Sequence, residues 1–231
     1  MKIDVWHNML WSRYKGAVLS ELYALCASRG TSLRIFQIVK SEALQSKLAP
    51  VDLTFHRYPY ELLFDCNLSS VPQRELMVET SRRVLSSDAD LILLSGYSRP
   101  EYFAQLLIAK ARGKKVGVFC DSTAYDRPHG GFKQVLKRCF FTSCDGVCCY
   151  GQRSAEYVLG YGVAEGRIFY GKGCTPPIVE LSETDILARR EAIRGRPPRF
   201  VYVGRFAEVK NVALLIDAFS DIRGCWPDAK L

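Results

Sequence analysis

Residues 90–120 read DLILLSGYSRPEYFAQLLIAKARGKKVGVFC. The opening DLILLSG is an apolar run of strand length, EYFAQLLIAKARG has the spacing of an amphipathic helix, and KKVGVF is a second apolar run. A strand, a helix and a strand in succession predict parallel pairing with the helix covering one face of the sheet.

The same alternation extends outward from this unit. Upstream, KIDVW is the first predicted strand, and the polar loop HNMLWSRYKG leads to a helix with Val18, Leu22, Leu25 and Cys26 on one face. Gly30 stands where a C-terminal cap belongs. LRIFQIV is the second predicted strand and VDLTFH the third, followed by the amphipathic helix PQRELMVETSRRVLSS, with Pro72 in its first turn. Downstream, the polar loop CDSTAYDRPHGG precedes a basic helix in which Phe132, Val135, Leu136 and Phe140 share a face. The short strand in CDGVCCYG, the helix QRSAEYVLGYG and the strand RIFYG complete the pattern. The expectation is an α/β protein: one complete doubly wound Rossmann-like domain over residues 1–174, with chemistry on the loops at the strand ends.

Residues 175–198, with Pro pairs on both sides of a polar helix, break the rhythm and read as a linker. At 199–231 the rhythm restarts with FVYV, Gly204 and a helix whose apolar positions are Val212, Leu215, Ala218, Phe219 and Ile222. This is the first βα unit of a second, incomplete domain. The turn at Gly204, with Arg205 and Lys210, either holds a diphosphate at a helix N-terminus or is an ordinary tight turn with two solvated cations.

Composition narrows the classes. The 231 residues are 48% hydrophobic, and no stretch reaches the ~18 uninterrupted apolar residues of a membrane-spanning helix. The start MKIDVWHN has neither the apolar core nor the cleavage site of a signal peptide, so a cytoplasmic chain is expected. The nine cysteines, an odd number lying mostly in apolar runs, read as reduced thiols, and CFFTSCDGVCC lacks the CxxC pair and nearby His of a zinc site. The formal charge of +8 calls for an anionic partner: nucleotide phosphate, a lipid headgroup surface or nucleic acid. No basic run with interleaved aromatics or nucleic-acid motif is present, so nucleic acid is not expected as a partner.

Three stretches together carry a resemblance. YVGRFAEVKNVALLIDAF is similar to VGRL..EKN...LI.AF, a motif of the retaining, nucleotide-sugar-dependent GT-B glycosyltransferases of family 4. RCFFTSCDGVCCYGQRSAEYVLGYGVAEGRIF resembles the end of their acceptor domain, and LSGYSRPEYFAQLLIAKARGKKVGVFCDSTAYDRP resembles a bacterial subgroup with an ESTAHDRPR-like loop. The resemblance implies transfer of a hexose-like unit from a nucleotide diphosphate sugar to a glycan or lipid-linked acceptor, in cell-surface polysaccharide or glycolipid synthesis. The donor is a substrate and no cofactor is implied. A metal-independent site built on cations is expected.

Residue by residue, Gly204, Arg205 and Lys210 match the positions that bind the donor diphosphate. Fixed cations there stabilise charge that gathers on the departing diphosphate. Asp121 matches a loop position facing the sugar, where many members carry His, and is the catalytic candidate. Ser122, Asp126 and His129 share its loop and are expected to line the cleft, and Gly16 matches a position where backbone approaches phosphate or acceptor. His7, directly after the first strand, is a second histidine placed to face the cleft. Glu183 and Glu191 have the spacing of the family's Glu-x7-Glu motif, but in the linker helix, so the match is read as coincidence. The donor half is therefore expected to be truncated. The alternatives are a non-catalytic acceptor-binding half that needs a separate donor-domain partner, or an inactive remnant. The predicted basic helix adds peripheral contact with the inner face of a membrane.

Overall fold

The computed structural model describes residues 1–125, 131–171, 181–204 and 206–231, in two compact units, Met1–Pro176 and Pro177–Leu231. In the first unit β1 (Lys2–Met9), α1 (Arg13–Ser28), β2 (Ser32–Ser41), α2 (Ala43–Leu48), β3 (Glu61–Asn67), α3 (Gln73–Ser86) and β4 (Leu91–Leu94) are followed by α4 (Pro100–Ala111), β5 (Lys115–Cys120), α5 (Phe132–Ser143), β6 (Gly146–Cys149), α6 (Gln152–Gly160) and β7 (Ile168–Tyr170). The seven strands form one parallel sheet in the order β3-β2-β1-β4-β5-β6-β7. This is the Rossmann-like α/β architecture. From β1 the chain winds outward through β2 and β3, then returns to lay β4 on the other side of β1, so the carboxyl ends of β1 and β4 form the switch point.

Alternate residues of β1 serve opposite faces, as a pleated strand requires. Ile3 and Val5 pack with Leu19 and Cys26 of α1 and with Leu33, Ile35 and Tyr58. Trp6 points to the other face, stacks on Phe36 at 4.6 Å between ring centroids, and joins the larger core of Leu76, Val84, Ile92, Leu94, Leu106, Phe140 and Val158. At the amino end of the sheet, the buried Asp4 carboxylate accepts from Arg34 Nε and Nη2, both at 2.8 Å, and from Ser87 Oγ at 2.6 Å. One carboxylate thereby ties β1, β2 and the approach to β4 together.

Three expectations are corrected in the first unit. The third strand is Glu61–Asn67; residues 51–56 instead hold a 3-10 turn, Leu53–Phe55, because Asp52 accepts from Thr54 N at 3.2 Å and from its hydroxyl at 2.6 Å and curls the chain. The buried residues of α1 are Gly16, Ala17, Leu19, Ser20 and Cys26, with Val18 and Leu25 exposed, because the 53–57 segment docks on the small residues: Ser20 Oγ donates to Phe55 O at 2.9 Å and accepts from Arg57 N. In α5, Phe140 and Phe141 are buried while Phe132 and Val135 remain exposed, so the expected single face is divided. Gly30 has φ +64°, the left-handed conformation that ends α1 as expected.

In the second unit, α7 (Glu183–Ala192) starts at a capping box between Ser182 and Asp185, and α8 (Val212–Cys225) follows left-handed Asn211. The expected strand at 200–203 does not form a ladder. Among the described residues its neighbourhood holds only the isolated Arg199–Lys230 bridge, since a strand needs a partner strand to satisfy its backbone. Among the described residues no helix is long and apolar enough to cross a membrane.

Candidate functional site

A cavity of about 530 Å³ opens at the carboxyl ends of the central strands. Its wall is contributed by the end of β1 with His7 and Asn8, by α1 and the turn before it, by Ser95 after β4, by Phe119 and Asp121 at the end of β5, and by Tyr150 after β6. It therefore lies at the topological switch point, where open α/β sheets bind ligands. Asn8 is fixed here: its Oδ1 accepts from Ser95 Oγ at 2.7 Å and from Tyr102 OH.

The cation of the cavity is Lys15, in the first turn of α1. Its ammonium lies 4.6 Å from the ring centroid of Tyr150, 5.0 Å from that of Phe119 and 5.2 Å from that of Tyr14. Tyr14 and Tyr150 are hydrogen-bonded to each other across the cage. Burial pulls the Lys15 pKa below the ordinary lysine value while Asp121 opposes the shift. Aromatic faces attract the cation without neutralising it, so charge remains available to an anionic ligand. Sequence reasoning missed Lys15. The available signal was its place in the helix that leaves the first strand, but of the rings that cage it only Tyr14 is local; Phe119 of β5 and Tyr150 after β6 lie more than a hundred residues away.

His7 lines the same cavity, with Nδ1 2.8 Å from Gln37 Oε1. Burial, with smaller contributions from Lys15 and His56, lowers its pKa to about 4, so it is neutral near pH 7. Of the other expected residues, Asp121 lines the cavity from the loop after β5. Ser122 is turned toward Tyr97, whose hydroxyl donates to Ser122 Oγ at 2.5 Å. Gly16 is buried under His56, and a Cβ there would lie 2.8–3.0 Å from three imidazole atoms. This packing accounts for glycine at position 16. Asp126, His129 and Arg205 lie outside the described residues. In the second unit Gly204 packs on the Tyr202 ring, and Lys210 is exposed at the end of the 3-10 turn Glu208–Lys210. The described cysteines are free thiols, and among the described residues no cluster of His, Cys, Asp and Glu could hold a metal.

No family model matches the chain, and no curated protein matches it. Solved structures do. HepE of Anabaena, in complex with UDP-glucose, superposes with a TM-score of 0.59 at 14% identity, covering 96% of this chain and 57% of its own. The chain has a GT-B-like fold. The UDP-GlcNAc 2-epimerase of Methanocaldococcus jannaschii gives 0.58 at 14% identity over 100% of this chain and 64% of its own, and that of Rickettsia bellii gives 0.55 at 10% over 100% and 61%. The chain thus spans about three-fifths of the length of these structures.

Proposed function

We propose that this chain is part of a retaining, family 4-type GT-B glycosyltransferase that moves a hexose-like unit from a nucleotide diphosphate sugar to a glycan or lipid-linked acceptor. The observation that carries the reading is the switch-point cavity, where one caged cation, one carboxylate and a neutral imidazole stand together at the carboxyl ends of β1 and β5. Asp121 accepts a hydrogen bond from a hydroxyl of the sugar or the acceptor. Lys15 offers positive charge to an anionic group of the ligand, and the aromatic walls provide flat apolar surface for a sugar ring. The donor diphosphate is assigned to Gly204, Arg205 and Lys210. The second unit forms no sheet among its described residues, so we place the rest of the donor site in a further segment or a partner chain. Ser122, Asp126, His129 and Gly16 are proposed to border the acceptor. The exposed Phe132 and Val135 beside Lys133 on α5 support the proposal of peripheral contact with an anionic membrane.

The near-equal likeness to 2-epimerases favours a second reading, conversion of the nucleotide sugar itself without transfer. Calorimetric titration with UDP-glucose and GDP-sugars, repeated on Arg205→Ala and Lys210→Ala, tests the reading. Binding that weakens in both variants supports it, and unweakened binding removes the diphosphate assignment. Incubation of UDP-GlcNAc with an acceptor panel separates the activities. Transfer releases UDP and leaves a new glycoside, whereas epimerisation yields an altered nucleotide sugar without an acceptor. Transfer that requires added manganese would count against the metal-free assignment.

A further inference from the structure

A chain of four buried polar side chains runs away from the cavity. His7 Nδ1 meets Gln37 Oε1 at 2.8 Å, Gln37 Nε2 meets Tyr58 OH at 2.9 Å, and Tyr58 OH meets His56 Nδ1 at 2.7 Å. All four residues are buried, and Gln37, in the middle of β2, has 0% exposure. Such a network is costly to desolvate and gives the core nothing that Leu or Phe would not give more cheaply. Its distinctive product is direction, because each hydrogen can be placed from its neighbour.

The Gln37 amide sets the direction. Its Nε2 donates to the Tyr58 hydroxyl, and its Oε1 faces His7 Nδ1. The Tyr58 oxygen thus accepts from Gln37, and its own hydrogen is left to donate to His56 Nδ1. An amide oxygen can only accept, so His7 carries its proton on Nδ1 and its Nε2 lone pair is bare.

We propose that His7 Nε2, held unprotonated by the Gln37–Tyr58–His56 relay, is a hydrogen-bond acceptor for a carbohydrate hydroxyl entering the switch-point cavity. This rests on the reading of that cavity as a sugar site. The ligand class follows from the chemistry of the wall. A neutral acceptor demands a neutral donor, which a sugar hydroxyl supplies. The cation beside it selects a ligand that also carries negative charge or a second hydroxyl oxygen. The lowered pKa keeps the acceptor in place, since the ring stays neutral across the range in which enzymes of ordinary cells work.

The test uses the full chain with ¹⁵N-labelled histidine, whose three histidines are assigned by substitution. Ring nitrogen shifts should show His7 protonated on Nδ1 and bare on Nε2. Tyr58→Phe, which breaks the relay while keeping the ring, should let the two tautomers mix. Glucose at high millimolar concentration and UDP-glucose are then added separately, and one of them should shift the His7 Nε2 resonance toward that of a hydrogen-bonded acceptor. His7→Asn, which retains a donor for Gln37 but has no acceptor at Nε2, should weaken binding of that ligand about tenfold, with UDP binding unchanged. Nε2 found protonated overturns the proposal, as does a bound sugar that leaves the Nε2 resonance unmoved. If neither probe binds a chain that shows the expected tautomer, the sugar assignment falls together with the proposed function, and the relay stands only as a structural feature.

Discussion

At the scale of the residue, position 16 shows how one missing methyl group supports a site. The His56 ring occupies the space a Cβ would take, and the same ring receives the Tyr58 hydroxyl. Gly16→Ala should therefore push His56 out of its seat and cost about 1–3 kcal/mol, read as a lowered urea midpoint with an unchanged slope. A stability equal to wild type would show that the ring yields freely. His7 makes a second residue-scale prediction, for pH. Its pKa is about 4 in the fold and near 6.5 in the unfolded chain, so the unfolded state binds the proton first as pH falls. Its contribution is complete above pH ~6.5 and is lost progressively toward pH ~4, up to roughly 3 kcal/mol, with His56 shifted in the same direction. Unfolding free energies measured across that window should rise with pH, and His7→Gln should flatten the rise. Of the residues concerned, Asp121 was legible because it follows an apolar strand in a polar loop. Lys15 was not, because two of the three rings that cage it, Phe119 and Tyr150, come from segments distant in the chain.

At the scale of the element, the buried strands were the easiest to read. β4 and β5 are covered on both faces, and their sequences LILL and KVGVFC are nearly continuous apolar runs, as parallel strands between helices must be. β3 was misplaced because it lies at the sheet edge, only partly buried, and carries Glu61 and Asp65 among its apolar residues. The segment before it had the better strand composition, yet a single aspartate cap bent it into a turn. The strand expected at 200–203 failed for a different reason. Local pattern declares a preference for extended chain, but a ladder exists only where a second strand lies alongside. Packing of elements is also where Asp4 acts. Asp4→Ala removes the shared partner of Arg34 and Ser87, and because Arg34 is itself half exposed, its charge can be solvated. The loss should be about 1–3 kcal/mol, rather than the larger penalty of a stranded buried charge. Asp4→Asn should recover part of it, since an amide oxygen can still accept from both partners. A melt of Asp4→Ala indistinguishable from wild type would show that β1, β2 and β4 are registered by apolar packing alone.

At the scale of the whole molecule, the chain carries +8, but diffuse charge and a placed charge behave differently toward an anion. Surface lysines attract anions at a distance and are screened by salt over roughly a Debye length, about 8 Å at physiological ionic strength. Lys15 is half-buried, ringed by Tyr14, Phe119 and Tyr150, and opposed by Asp121 on the same cavity wall. Its attraction for a ligand in that cavity is short-ranged and less screened. The prediction is a separation of two effects on UDP-glucose binding followed by calorimetry. Raising salt should weaken binding of wild type and of Lys15→Met by the same factor, because that component belongs to the general positive field. Lys15→Met should in addition bind about 10-fold to 100-fold less tightly at every salt concentration, as expected for a lost charge-assisted contact of about 1.5–3 kcal/mol. Methionine keeps the length of the side chain and still packs on aromatic rings, so the cage should remain filled and the thermal midpoint should hold. If Lys15→Met matches wild type at high salt and differs only at low salt, Lys15 is one more surface charge and makes no placed contact with the nucleotide sugar.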